Sequence, residues 1–97
     1  MTELFLGSEA LAAKVMPERA MRSLYEPVYP GVYCPGGIAL TARERAQAAW
    51  LWSRRKGVVA GNSAAALLGA KWVSPTLDAE LVHVNRHAPF GIVCRAQ

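Results

Sequence analysis

The run Gln47–Trp72, QAAWLWSRRKGVVAGNSAAALLGAKW, decides how the chain is to be read. Two alanine-rich stretches flank a basic knot, Arg54-Arg55-Lys56, and a short β-branched pair, Val58-Val59, bounded by Gly57 and Gly61. Upstream, Thr41-Ala42-Arg43-Glu44 is a capping box, in which the threonine hydroxyl and the glutamate three residues on satisfy each other's free N–H groups. It starts a helix with Ala42, Ala46, Ala49 and Trp50 along one side. That helix runs to Ser53 and ends with cations in its last turn and Gly57 just past it. Val58-Val59-Ala60 is then extended, Asn62 or Ser63 caps a brief helix over 64–68, and Gly69 stops it. Trp50, Trp52 and Trp72 read as core, because small alanine neighbours leave room for an indole.

Ninety-seven residues suit one domain, or one and a half very small ones. A chain of this length buries roughly 60–65% of its unfolded surface, so the core is modest. With 53% apolar and 19% charged residues it is globular and not disordered. No apolar run approaches the ~18 residues of a membrane span, and the opening MTELFL carries an acid and no base, unlike a secretory signal. The chain therefore reads as cytoplasmic, without a membrane partner, and its two cysteines, Cys34 and Cys94, as reduced thiols.

The N-terminal part reads as helix, turn, helix, hairpin. Gly7-Ser8-Glu9 opens the first helix, with Ser8 as N-cap and Leu11 and Val15 on one side. Met16-Pro17 breaks it, and a second helix runs from about Pro17 to Leu24, with Ala20, Met21 and Leu24 apolar and Glu18, Arg19, Arg22 and Ser23 outward. Tyr25–Cys34, YEPVYPGVYC, changes period to two short strands around a Pro30-Gly31 turn, and Pro27 confines the first of them to a sheet edge. This order is compatible with the later part of a winged helix-turn-helix. Residues 1–35 thus form a winged-helix-like unit, 36–40 a linker, and 41–97 a shortened second α/β unit. The fold class is α+β: a small winged helix-turn-helix followed by a helix–helix–β-hairpin unit. The closing hairpin has one strand over Glu80–Asn85, a turn from about Arg86 to Gly91, and a return over Ile92–Arg95.

The net charge of +4 is unevenly spread. Residues 1–35 set three cations against four carboxylates, a net −1, whereas 36–97 set eight against three, a net +5. Since affinity for nucleic acid rests on neutralising phosphates, this asymmetry weakens the first unit as an autonomous binder. Its candidate DNA contacts are Arg19, Arg22 and Ser23 on the second helix, with Tyr29 and Tyr33 on the hairpin. Arg54, Arg55 and Lys56 are candidate phosphate contacts, although cations at a helix end also have a purely structural role. His83 and His87 fall on a strand and a turn, so their spacing does not converge on a metal, and no paired-cysteine spacing exists. No carboxylate pair, Gly-x-Ser-x-Gly or phosphate loop is present. We expect no catalytic residues, metal or cofactor.

On these residues the chain resembles the N-terminal portion of AbiEi-type antitoxins of type IV toxin–antitoxin systems. It is most similar to actinobacterial members that continue into a very-short-patch-repair-like endonuclease domain. The similarity lies in Gly7–Ala12, Leu24-Tyr25, Val28–Tyr33, Ala48–Arg55, Gly61–Leu67, Gly69–Trp72, Glu80–His83 and Asn85-Arg86. It implies a winged helix, with Arg19 and Arg22 facing DNA and the Tyr29–Tyr33 hairpin as wing, and a repressor that counters a nucleotidyltransferase toxin. Two departures limit it. Leu68 stands where such proteins usually carry a histidine, and the endonuclease portion lies beyond this sequence, so nuclease activity does not carry over. The expected function is a DNA-binding, antitoxin-like transcriptional repressor acting on double-stranded DNA. The alternative is a protein-interaction module, of phage or prophage origin, that neutralises a toxin or other protein; a homodimer is compatible with either.

Overall fold

The computed structural model describes residues 3–83 and 87–95. They form an α+β arrangement in the order β1 (Phe5–Leu6), α1 (Gly7–Ala12), α2 (Glu18–Leu24), β2 (Tyr25–Tyr29), β3 (Val32–Pro35), α3 (Ala42–Trp52), β4 (Val58–Val59), α4 (Gly61–Leu67), β5 (Ala79–Val82) and β6 (Ile92–Arg95). The first sheet has strand order β1-β3-β2, antiparallel throughout, so Pro27 does sit on an edge strand, where its missing N–H costs nothing. Gly31, at φ 82, makes the tight turn between β2 and β3.

Alternation along the strands gives this sheet two working faces. On one, Phe5 lies opposite Tyr33, their rings stacked at 5.9 Å, and Tyr25 meets Phe5 edge-on at 5.0 Å. α1 begins directly over this cluster. A Cβ on Gly7 would lie 2.7 Å from Tyr33 Cε1 and 3.1 Å from Met21 Sδ, so only glycine allows the approach. On the other face Leu6 lies opposite Val32, and both are almost completely buried. That face meets α3.

α3 is the centre of the molecule. Its capping box forms as expected: the Glu44 N–H donates to Thr41 Oγ1 at 3.1 Å, and the Thr41 N–H donates to Glu44 Oε1 at 2.9 Å. The helix packs across all three strands of the first sheet and against β4, α4 and β5. One buried cluster therefore joins Leu6, Tyr29 and Val32 to Ala48, Ala49 and Leu51, and these to Ala79, Leu81 and Ile92. The 1–35 and 41–97 stretches share this core, and Leu40, between them, is buried as well.

Several local expectations are corrected. The expected C-terminal hairpin is instead a parallel pair: in the order β4-β5-β6, β4 runs antiparallel to β5, but β5 runs parallel to β6. The Ala88-Pro89 turn signal marks where the chain bends, not which way it returns. The parallel register Ala79↔Ile92 and Leu81↔Cys94 puts the buried side chains of both strands on the same inner face. Positions 84–86 of the expected strand and turn lie outside the described residues.

The tryptophan expectation fails for two of the three: Trp50 is 38% and Trp72 72% exposed, whereas Trp52 is partly buried and packs against the core. The buried face of α3 is instead built from Ala46, Ala48, Ala49 and Leu51. Small side chains there let the helix backbone come close to its neighbours. Trp50 turns outward beneath the Arg55 guanidinium, 5.9 Å from its ring.

Helix ends differ too. Ser8 lies inside α1, whose N-cap is Leu6, and Leu11 and Val15 are exposed, because the helix stops at Ala12 and Lys14 turns left-handed at φ 55. Met21 alone anchors α2 in the core, while Leu24 is 65% exposed. The basic knot is past the end of α3, not in its last turn: Arg54 and Arg55 have φ 60 and 65. Neither Asn62 nor Ser63 caps α4, which starts at Gly61 with φ 55. The Glu80 carboxylate does so from a neighbouring strand, accepting from the Asn62 N–H at 2.6 Å.

Candidate nucleic-acid interface

α2 forms because Pro17, in extended conformation, sets the chain direction, Glu18 complements the helix N-terminus, and Met21 anchors the inner side. Arg19, Arg22 and Ser23 are consequently all exposed. Arg22 is ion-paired to Glu18 at 2.6 Å, and the Ser23 hydroxyl donates to the Arg19 carbonyl at 2.7 Å. Arg19 makes no ion pair among the described residues. The outward face of α2 thus offers one uncommitted guanidinium, one held by a solvent-exposed carboxylate, and a hydroxyl engaged by its own helix.

The hairpin tyrosines are placed differently from expectation. Tyr29 is 4% exposed and belongs to the shared core, with its hydroxyl 3.5 Å from the Gly91 carbonyl. Burial pushes that hydroxyl above its ordinary pKa, partly offset by Arg45 nearby. A side chain so enclosed cannot reach a duplex, so Tyr29 drops out of the contact set. Tyr33 is half-buried, its ring pressed between Phe5 and Gly7. The hairpin turn is itself tied down: the Gly7 N–H donates to the Gly31 carbonyl at 2.8 Å.

The basic knot folds back onto α1, forty-six residues earlier in sequence. Arg55 makes two hydrogen bonds to the Glu9 carboxylate, at 2.6 and 3.0 Å, and Arg54 Nη1 donates to Ser8 Oγ at 2.9 Å. Arg55 holds the Glu9 carboxyl below the ordinary carboxylate range, and Glu9 in turn raises Arg55. Lys56 is exposed. Of the three cations expected to touch phosphate, one is neutralised, one is positioned by a hydroxyl, and one extends into solvent. No hydrogen bond or ion pair among the described residues joins this group to the α2 cations.

A cleft of about 560 Å³ has Glu26, Tyr29, Cys34, Arg45, Asp78 and Phe90 in its lining. Its charges are mixed. Arg45 Nε is buried there without a hydrogen-bond partner, a feature that charge counting along the sequence does not reveal. Burial raises the Cys34 thiol, with Glu26 contributing, and raises Cys94. No group of three or more His, Cys, Asp or Glu side chains able to hold a metal occurs among the described residues, and no helix among them is long and apolar enough to cross a membrane. The His83 ring instead meets Trp52 edge-on at 6.2 Å.

Comparison of the chain with models of known protein families, with curated proteins and with solved structures gives no match.

Proposed function

We propose that the protein is a DNA-binding, antitoxin-like transcriptional repressor, with α2 as its DNA-facing helix and the β2–β3 hairpin as a short wing. The observation that carries this reading is the placement of α2: with Met21 as its one fully buried residue, it turns Arg19, Arg22 and Ser23 to solvent beside the hairpin. The order β1-α1-α2-β2-β3 with pairing β1-β3-β2 supports it, being the strand and helix order of the later part of a winged helix-turn-helix. Binding through so few cations is weak and salt-dependent, and Arg22 must leave Glu18 to reach a phosphate. It is binding, not catalysis, that these groups support.

The test is fluorescence anisotropy with duplex DNA from upstream of the protein's own gene. Combined Arg19→Ala and Arg22→Ala substitution is expected to weaken binding about tenfold or more and to flatten the log–log salt slope by roughly 2. Absence of any complex at low salt would sink the proposal.

A second reading, a module that binds and neutralises a toxin or other protein, is favoured by the apolar surface. Leu68 is 90%, Trp72 72% and Phe90 fully exposed, and β6 leaves one edge of its sheet unpaired among the described residues. Co-expression with a neighbouring nucleotidyltransferase checks it. A stoichiometric complex that survives gel filtration is expected, and separate elution counts against it.

A further inference from the structure

A second cleft, about 440 Å³, opens between the Pro30 turn, the end of α3 and the end of β5, with Trp52, Ser53, Arg54, Lys56 and His83 in its lining. Unlike the larger cleft, it has no carboxylate in its wall among the described residues. Its donors are side chains alone. The backbone N–H groups of Ser53, Arg54, Arg55 and Lys56 are all spent on carbonyls, at 2.8 to 3.2 Å. The Ser53 hydroxyl is spent as well, donating to the Trp50 carbonyl at 2.6 Å and accepting from the Gly57 N–H at 2.9 Å. The charged donors that remain are the Arg54 guanidinium and the Lys56 ammonium. One nitrogen of Arg54 is fixed by Ser8 Oγ, which leaves most of its five donors for a ligand.

The backbone of this turn is informative. Two successive arginines hold left-handed conformations, at φ 60 and 65, each costing roughly 1–2 kcal/mol for a residue with a Cβ. A turn needing only its shape would be cheaper with glycine or asparagine. The strained reversal separates the three cations: Arg55 swings out to Glu9, while Arg54 and Lys56 stay on the cleft. Beside them the Trp52 and His83 rings stand at 81° to each other.

We infer that this cleft is a phosphate site that takes a nucleotide unit, with Arg54 and Lys56 meeting the phosphate and the Trp52–His83 pair forming an aromatic wall for the base. The site uses none of the α2 residues and stands independently of the DNA-reading role given to them. The carboxylate that acts on Arg54, that of Glu9, is already held by two hydrogen bonds from Arg55. A guanidinium and an ammonium beside it suit a phosphate mono- or diester, and the adjoining rings suit the base attached to it. The same chemistry serves a free nucleotide or a nucleic-acid strand.

The experiment follows the indole Nε1–H signal of Trp52 in ¹⁵N-labelled protein, assigned with Trp52→Phe. The probes are deoxyadenosine, its 5′-monophosphate, and short single-stranded and duplex oligonucleotides. The monophosphate or an oligonucleotide is expected to shift the signal at low salt, and deoxyadenosine to leave it in place. Arg54→Gln with Lys56→Gln is expected to weaken the response about tenfold, and Arg19→Ala with Arg22→Ala to leave it unchanged. Lys56→Gln alone, at an exposed position of ordinary backbone conformation, gives a smaller loss in the same direction without risk to the fold. A response to the monophosphate marks a free nucleotide as the source, and one confined to oligonucleotides marks a strand. The inference is overturned if no phosphate-bearing probe moves the Trp52 signal, if deoxyadenosine moves it equally, or if Lys56→Gln changes nothing. Loss of duplex binding in the α2 variant with the Trp52 response intact separates the two proposals.

Discussion

Arg55 and Glu9 form a two-bonded ion pair, at 2.6 and 3.0 Å, that clasps the turn after α3 to the first turn of α1. Both side chains are about half exposed, at 45% and 49%, so salt and solvent weaken the pair. Arg55 lowers the Glu9 pKa in the folded protein. The pair's stabilisation is therefore present above the ordinary carboxylate pKa and lost as pH falls through the lowered folded value. Thermal melts of the wild type and Glu9→Gln should differ at neutral pH and converge in acid. The gap should also narrow in molar salt, and a gap that persists under both conditions would assign it to packing instead.

Gly61 and Gly69 separate backbone strain from crowding. Both have positive φ, 55 and 97, so alanine is strained at either. A Cβ on Gly69 meets nothing within 4 Å, whereas one on Gly61 collides with the Glu80 carboxylate. Gly69→Ala is expected to cost about 1 kcal/mol and Gly61→Ala at least about 2 kcal/mol more, read from urea midpoints. Equal costs would mean that Glu80 moves aside freely.

Tyr29 distinguishes core from contact surface. Its hydroxyl bond to Gly91 is long, at 3.5 Å, while its ring is embedded among Leu6, Val32 and the α3 alanines. Tyr29→Phe should change stability by less than about 1 kcal/mol, and Tyr29→Ala should cost about 3–5 kcal/mol. DNA binding, measured by anisotropy, should be the same for Tyr29→Phe and wild type. A selective loss of binding in Tyr29→Phe would return this residue to the interface.

What the sequence disclosed and what it hid divide along a physical line. The Thr41–Glu44 capping box, the Pro17 restart and the Pro30-Gly31 hairpin are local, each decided by atoms within a few residues, and each could be read directly. Partners far apart could not. Nothing near Arg54 and Arg55 announces that they reach Ser8 and Glu9, and nothing near Ile92 tells a parallel partner from an antiparallel one. The tryptophans misled for a related reason: alanine beside tryptophan describes a close approach equally well, and which residue fills the gap depends on the opposing sheet. On the candidate interface, exposure of Arg19, Arg22 and Ser23 follows from helical periodicity. The burial of Tyr29 follows from contacts with segments far away in sequence, from Leu6 to the α3 alanines and Ile92.

Glu80 and Ser63 make the most demanding prediction, because each side chain serves the backbone of the other's element. The Glu80 carboxylate accepts from the Asn62 N–H at 2.6 Å at the start of α4, and the Glu80 N–H donates to Ser63 Oγ at 2.9 Å. A side chain on β5 thus does the work of an N-cap, while a side chain on α4 satisfies the strand. Glu80→Ala should cost about 1–2 kcal/mol, as loss of a cap does. Ser63→Ala should cost about 1–3 kcal/mol, because Ser63 is buried and its removal strands an N–H. Both losses loosen the same α4–β5 contact, so they should couple: the double variant is expected to fall short of the sum by at least about 0.5 kcal/mol in denaturant unfolding. Strict additivity would show that the two bonds act separately.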